Sequence, residues 1–337
     1  MEHTTMSFMG SWERDIIAHE LAHQWFGNKI TCGDWEDVWL NEGFATYLNA
    51  LVIENFDGDT TFRNWRGSTI NNITSSPGGS VFITNTTTTG GIFNGMVYFK
   101  DAMLLHMLRY KLGETIFFQA IQNYLADPNL TYGYARTIDL QNHFENENGT
   151  DLTEFFNDWF LGQGYPSFHL TWDYDKSSQQ LSFTVDQTQS HSSVSFFETP
   201  FSIMVFGDGQ NPEVHRVELT NNGQSFSINI PYEVLAIEVN PHKNIISKNN
   251  TVVLGNNDSV LINSITISPN PTKGNLTVNN PSNIEIYDVN IHNMLGQEVF
   301  KSNYVGEAIS LKGLESSIYI IEIDTINGKL LKNEAKF

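Results

Sequence analysis

Two histidines four residues apart, with a glutamate between them and a second glutamate further on, carry the clearest chemistry in this sequence. The run is His19-Glu20-Leu21-Ala22-His23, and eighteen residues separate His23 from Glu42. On a helix, side chains at i and i+4 share a face, with Cβ atoms about 5–6 Å apart. Two imidazoles so placed can reach one Zn²⁺ at about 2.0–2.1 Å. A catalytic zinc takes three protein ligands and leaves one position for water, and Glu42 can complete a His₂Glu set. Glu20 is turned about 100° from His19 by the 3.6-residue period. It borders the ion without facing it, which suits a base acting on the water.

The ligands need a helix and a neighbour, and the local pattern supplies both. Ser11 reads as an N-cap and Glu13 as an acidic first-turn residue. Ile16, Ile17, Leu21 and Trp25 with Phe26 form an apolar stripe, and Gly27 reads as the stop. Asp37 to Asn55 reads as a second helix carrying Glu42 in its first turns, antiparallel to the first. The bland alternative makes His19 and His23 core histidines and Glu42 a solvated carboxylate. Cys32, the single cysteine, excludes an intrachain disulfide. As a fourth ligand it would close the position that water needs, so it reads as a bystander thiol.

These residues resemble the aminopeptidase N-like zinc metallopeptidases, the gluzincins. The resemblance rests on Ala18 to Asn28 and on Trp39-Leu40-Asn41-Glu42-Gly43-Phe44-Ala45. It implies a thermolysin-like catalytic fold, one Zn²⁺ held by His19, His23 and Glu42, and Glu20 as general base. Met1-Glu2-His3 resembles the end of the family's G-x-M-E-N strand, which implies that Glu2 binds the substrate's free α-amine; His3 departs from the usual Asn. Met96-Val97-Tyr98-Phe99-Lys100-Asp101-Ala102 resembles the family's Y-x-K helix start and implies that Tyr98 donates to the oxyanion. Phe155 to Phe160 and Gly164-Tyr165-Pro166 resemble the end of the family's helical domain, and the likeness runs loosely on to about residue 245.

At 337 residues the chain predicts two or three domains. Residues 1–165 read as helical, with helices at Asp59 to Ile73, Val97 to Leu112, Glu114 to Ala126, Thr137 to Glu147 and Asp151 to Leu161. Ser75 to Gly95 reads as a loop, and His106 as a packed residue. From Pro166 the period changes to two, with strands expected through 166–246 in a β-sandwich. Residues 247–262 read as a linker. Residues 263–337 resemble the C-terminal sorting domain of the type IX secretion system of Bacteroidetes. The matching features are Pro269-Asn270-Pro271, the turn Asn293-Met294-Leu295-Gly296-Gln297-Glu298, and Leu311 to Ile323 with Lys332. The fold class expected is multidomain α+β: a mainly helical, N-terminally truncated thermolysin-like domain, a β-sandwich domain and a small C-terminal β-sandwich.

Lys+Arg total 18 against 38 Asp+Glu, a formal charge of −20, which disfavours nucleic acid and anionic membrane as partners. No apolar run is long enough for a transmembrane helix, and Met1-Glu2-His3 does not open a signal peptide. An export tail without a leader, and a catalytic domain starting inside a substrate-binding strand, have one joint explanation. The chain is expected to be the C-terminal part of a longer protein, with the signal peptide and the start of the catalytic lobe upstream. Apolar surface left by that lobe would face water, so the chain alone is expected to fold poorly or act weakly. The leading reading is a secreted or outer-membrane-surface zinc aminopeptidase acting on peptides with a free N-terminus and handled by the type IX machinery. A zinc endopeptidase, or a non-catalytic surface module with a vestigial metal site, are the alternatives.

Overall fold

The computed structural model describes residues 6–207, 209–255, 265–280, 285–293, 297–303, 308–325 and 328–336. They divide into two compact units, Met1–Val252 and Val253–Phe337.

The first unit starts with helices. α1 (Arg14–Ala22) is followed by β1 (Ile30–Cys32), a 3-10 turn (Trp35–Asp37) and α2 (Trp39–Ile73), which breaks at Gly58. Then come α3 (Thr89–Ile92), α4 (Gly95–Leu112), α5 (Glu114–Ala126), β2 (Gly133–Ala135), α6 (Thr137–Asn148) and α7 (Thr153–Phe156), which runs into a π-helical turn at Asn157–Leu161. β1 and β2 pair in parallel, Thr31 opposite Tyr134. α4 is apolar on all sides because it is the central helix: Val97, Met103, Leu104, Leu105, Met107 and Leu108 are each at most 1% exposed.

The strands are β3 (Pro166–Asp175), β4 (Gln180–Gln189), β5 (Thr199–Gly207), β6 (Glu213–Leu219), β7 (Gln224–Asn229), β8 (Val234–Val239) and β9 (Thr251–Leu254). They form two sheets, ordered β7-β4-β3-β9 and β6-β5-β8. Alternation dictates the facing: Phe168, Leu170, Leu181, Phe183 and Val185 turn inward while Thr171, Asp173, Ser182 and Asp186 face out. The helices and both sheets share one buried cluster running from Phe26 to Ile246, with Trp159 tilted against Phe197 at 4.5 Å between ring centroids.

The second unit holds β10 (Thr266–Ser268), β11 (Asn275–Asn279), β12 (Ile286–Asn293), β13 (Glu298–Asn303), β14 (Ile309–Ser310), β15 (Ser317–Thr325) and β16 (Gly328–Lys336). Its sheets are β10-β11-β14 and β13-β12-β15-β16. Leu276 and Val278 of the first and Val289, Ile291, Ile321 and Ile323 of the second belong to one core.

Four local expectations change. The first helix ends at Ala22 instead of reaching Gly27, and Glu13, not Ser11, is its N-cap; the Ser11 hydroxyl accepts from the Glu13 N–H at 3.2 Å. The stripe Ile16, Ile17, Leu21 and Trp25 is uncovered, 36–52% exposed. Ile17, Leu21 and Trp25 line an open groove with Leu48, Leu51 and Phe56, because no other described element packs on that side of α1. The loop 75–95 contains the one-turn helix α3, capped by the Thr88 hydroxyl. The stretch read as a linker supplies β9, which extends the sheet at β3. Among the described residues no helix is long and apolar enough to cross a membrane.

Candidate metal centre

The expected ligands converge. His19 Nε2 lies 3.2 Å from His23 Nε2 and 3.2 Å from Glu42 Oε2, and His23 Nε2 lies 3.6 Å from the same oxygen. An ion holding tetrahedral ligands at about 2.0–2.2 Å sets donor atoms about 3.3–3.6 Å apart. The three donors therefore stand at the separation a zinc ion imposes. Among the described residues this is the single group of three or more His, Cys, Asp or Glu side chains able to hold a metal.

Tautomer and burial point the same way. His23 Nδ1 sits 3.0 Å from the Phe26 carbonyl oxygen, so it carries the proton and donates it there. That leaves the Nε2 lone pair facing His19 and Glu42, the form in which imidazole binds a metal. His23 and Glu42 are 5% and 4% exposed. A buried carboxylate facing two lone-pair nitrogens needs a compensating cation.

Each ligand has an identifiable support. α1 is tied to α2 by Arg14, whose guanidinium donates to both oxygens of Asp57 at 2.9 and 2.5 Å. The entry to α2 is clamped from a distant part of the chain. Asp37 Oδ1 accepts from the Thr137 N–H (3.1 Å) and hydroxyl (2.6 Å), and the Trp39 indole donates to the same hydroxyl oxygen at 2.7 Å. Arg136 adds a contact to Asp37 at 3.2 Å. Asn41 accepts the Cys32 N–H at 3.1 Å, which ties β1 to the turn before Glu42. Phe26 stacks on Phe44 at 3.9 Å, nearly coplanar, joining the end of the His23 turn to the helix that bears Glu42. Gly43 allows α4 to approach: a Cβ there would stand 2.7 Å from Asp101 Cβ.

The remaining candidates are placed as follows. Glu20 is half-buried on α1, with no hydrogen bond or ion pair among the described residues, so its carboxylate is uncommitted. Tyr98, in the first turn of α4, has its ring centroid 6.4 Å from that of His19. Glu2 lies outside the described residues. Cys32 is buried in β1 and forms no disulfide. His106 is packed, donor and acceptor to Tyr47 and Asn244, and burial takes it down to about 3. Lys100 is a strut: it is 1% exposed and donates to the carbonyls of Gly79 (2.7 Å) and Gly162 (3.2 Å). Sequence reasoning missed the Asp37–Thr137 clamp and the Gly43–Asp101 approach. The second had a signal, since glycine in a helix interior is disfavoured unless something needs the space.

The segment that carries this site matches known proteins. Residues 4–159 match the peptidase family M1 domain, and residues 266–333 match the secretion system C-terminal sorting domain. The chain is 34% identical over 159 residues to the alanine/arginine aminopeptidase of Saccharomyces cerevisiae, covering 45% of this chain and 18% of that one. It is 35% identical over 171 residues to probable aminopeptidase 2 of Sulfurisphaera tokodaii, covering 46% and 21%. The chain thus spans about a fifth of the length of these curated relatives. A crystal structure of Legionella pneumophila aminopeptidase A in complex with aspartic acid superposes with a TM-score of 0.59 at 20% identity, over 70% of this chain and 27% of that one, a likeness of fold. The first segment is thus similar to the peptidase M1 family, the aminopeptidase N family, and the last segment to a secretion-system C-terminal sorting domain.

Proposed function

We propose that the chain carries the metal centre of a zinc aminopeptidase, with His19, His23 and Glu42 as ligands. The observation that carries this reading is the convergence of the His19, His23 and Glu42 donor atoms at 3.2–3.6 Å, with His23 and Glu42 buried. Bound there, zinc supplies Lewis-acid polarisation of a carbonyl and acidifies a water molecule. Glu20 takes the proton of the attacking water and returns it to the leaving amine. The Tyr98 hydroxyl donates to the oxyanion that develops on the substrate carbonyl. His23 is kept in its ligating tautomer by the Phe26 carbonyl. Glu2 is assigned to the substrate's α-amine on sequence resemblance, which makes cleavage proceed one residue at a time from a free N-terminus.

The domain reading that goes with this function is a partial catalytic segment of thermolysin-like fold at 1–165, a β-sandwich from 166 whose last strand is β9 (Thr251–Leu254), and a sorting module at 263–337. The sorting-domain match supports export by type IX machinery to the cell surface or medium. Metal analysis of the purified chain, with turnover of an aminoacyl-anilide and of the same peptide with free and blocked N-termini, tests the proposal. Zinc at one per chain and cleavage of the free peptide alone are expected. Cleavage of both peptides moves the assignment to an endopeptidase. A chain that binds no zinc loses the proposal altogether.

A further inference from the structure

We infer that the second unit contains an oxyanion site, formed by Lys273 and Lys312, that takes a phosphate or phosphate-ester group. The antiparallel pairing of β11 with β14 sets Asn275 opposite Ser310 and Leu276 opposite Ile309. The Leu311 N–H donates to the Gly274 carbonyl at 2.7 Å, which carries the pairing one step past the strands. Just beyond these pairings lie Lys273, in the bend before β11, and Lys312, in the turn after β14. Like charges brought close on one surface repel.

Among the described residues neither ammonium has an ion-pair or hydrogen-bond partner. This is unexpected in a chain where acidic side chains outnumber basic ones 38 to 18. Both lysines line a hollow of about 290 Å³ with Pro269, Thr272, Gly274 and Asn275. The turn beneath them is fixed. The Thr272 side chain is buried, its hydroxyl donates to the Asn275 carbonyl at 2.7 Å, and it accepts the Gly274 N–H at 3.1 Å. Gly274, at φ +145°, leaves room for the Lys312 stem, whose Cγ is 3.7 Å from where a Cβ would stand. Two exposed lysines thus border one hollow beside a turn fixed by Thr272.

An anion seated between the ammoniums turns one repulsion into two attractions. Lysine is a point-charge donor well suited to phosphate. A tetrahedral oxyanion can accept from both ammoniums and still reach the Asn275 amide at the rim. The site lies wholly in the second unit and does not depend on the peptidase reading.

The test uses the full chain. Equilibrium dialysis with inorganic phosphate forms one arm. Co-sedimentation with phosphatidylcholine vesicles, with and without phosphatidylglycerol, forms the other. Saturable binding is expected in at least one arm, weakened about tenfold or more in K273Q/K312Q and retained in K273R/K312R. The charge-matched K29Q/K111Q variant should bind as the parent does. Binding of free phosphate assigns the site to soluble phosphate, and binding confined to the phosphatidylglycerol vesicles assigns it to a lipid headgroup. No binding in either arm overturns the inference, as does equal weakening in K273Q/K312Q and K29Q/K111Q.

Discussion

The two units treat charge differently. Met1–Val252 holds 12 Lys+Arg against 29 Asp+Glu, a net −17; Val253–Phe337 holds 6 against 9, a net −3. The first unit also buries charged groups: Asp37, Glu42, Arg66, Lys100, Asp101 and Asp158 are each at most 6% exposed. Among its described residues the second buries only the neutral Thr272, Asn290 and Thr325 as polar groups. Burying charge is costly unless it is paired or bound to a metal. The first unit accepts that cost around α1, α2 and α4, where the proposed ligands and their supports lie. The second is an ordinary apolar core between two sheets, with its chemistry at a surface turn.

That contrast can be broken at several points. Glu20→Gln should lower turnover by about 10²–10⁴ while one zinc per chain stays bound, read by anilide assay and elemental analysis; turnover near the parent's would remove Glu20 from the mechanism. Ile321→Ala empties part of the second core and should cost about 2–5 kcal/mol in that unit's unfolding. Its zinc content should stay at the parent's value, because the two buried clusters share no residue. A loss of zinc there would show that the units are not separate.

Gly43→Ala sharpens the contrast from the other side. The added methyl must displace Asp101, so a stability loss of about 1–3 kcal/mol should come with weaker zinc retention against a chelator. A variant as stable and as metal-retentive as the parent would mean that the α2–α4 approach is not needed.

The smallest expected effect concerns pH. Burial pushes the Asp158 carboxyl up to about 7, against which the Glu198 N–H acts weakly. The folded state therefore holds a proton that the unfolded state has released between about pH 4 and 7. Stability from this group is full below about pH 4 and is lost as pH rises to 7. Asp158→Asn should therefore raise the denaturation midpoint at pH 8 more than at pH 5. An equal effect at both would show that Asp158 does not titrate in this window.

Much of this was legible in the chain. The pairing of His19 with His23 needs only one helical turn, so spacing alone predicts it. Alternating residues announce β3 to β8, because a half-buried strand must alternate. Capping residues and glycines mark the ends of α4, α5 and α6. The pairing of β11 with β14, which brings Lys273 and Lys312 to one hollow, was not legible. Nor was the clamp from Asp37 to Thr137, which spans 100 residues of sequence.

The amphipathic stripe on α1 misled for a physical reason. Periodicity states that a face is apolar, not that anything covers it. Sequence alone determined the residue types, the helix-local ligand pair and the strand period, since these follow from backbone geometry within a few residues. Tertiary structure decided that Glu42 Oε2 comes within 3.6 Å of both imidazoles. Such distances depend on how α1, α2 and α4 pack together, and packing is a property of the whole unit.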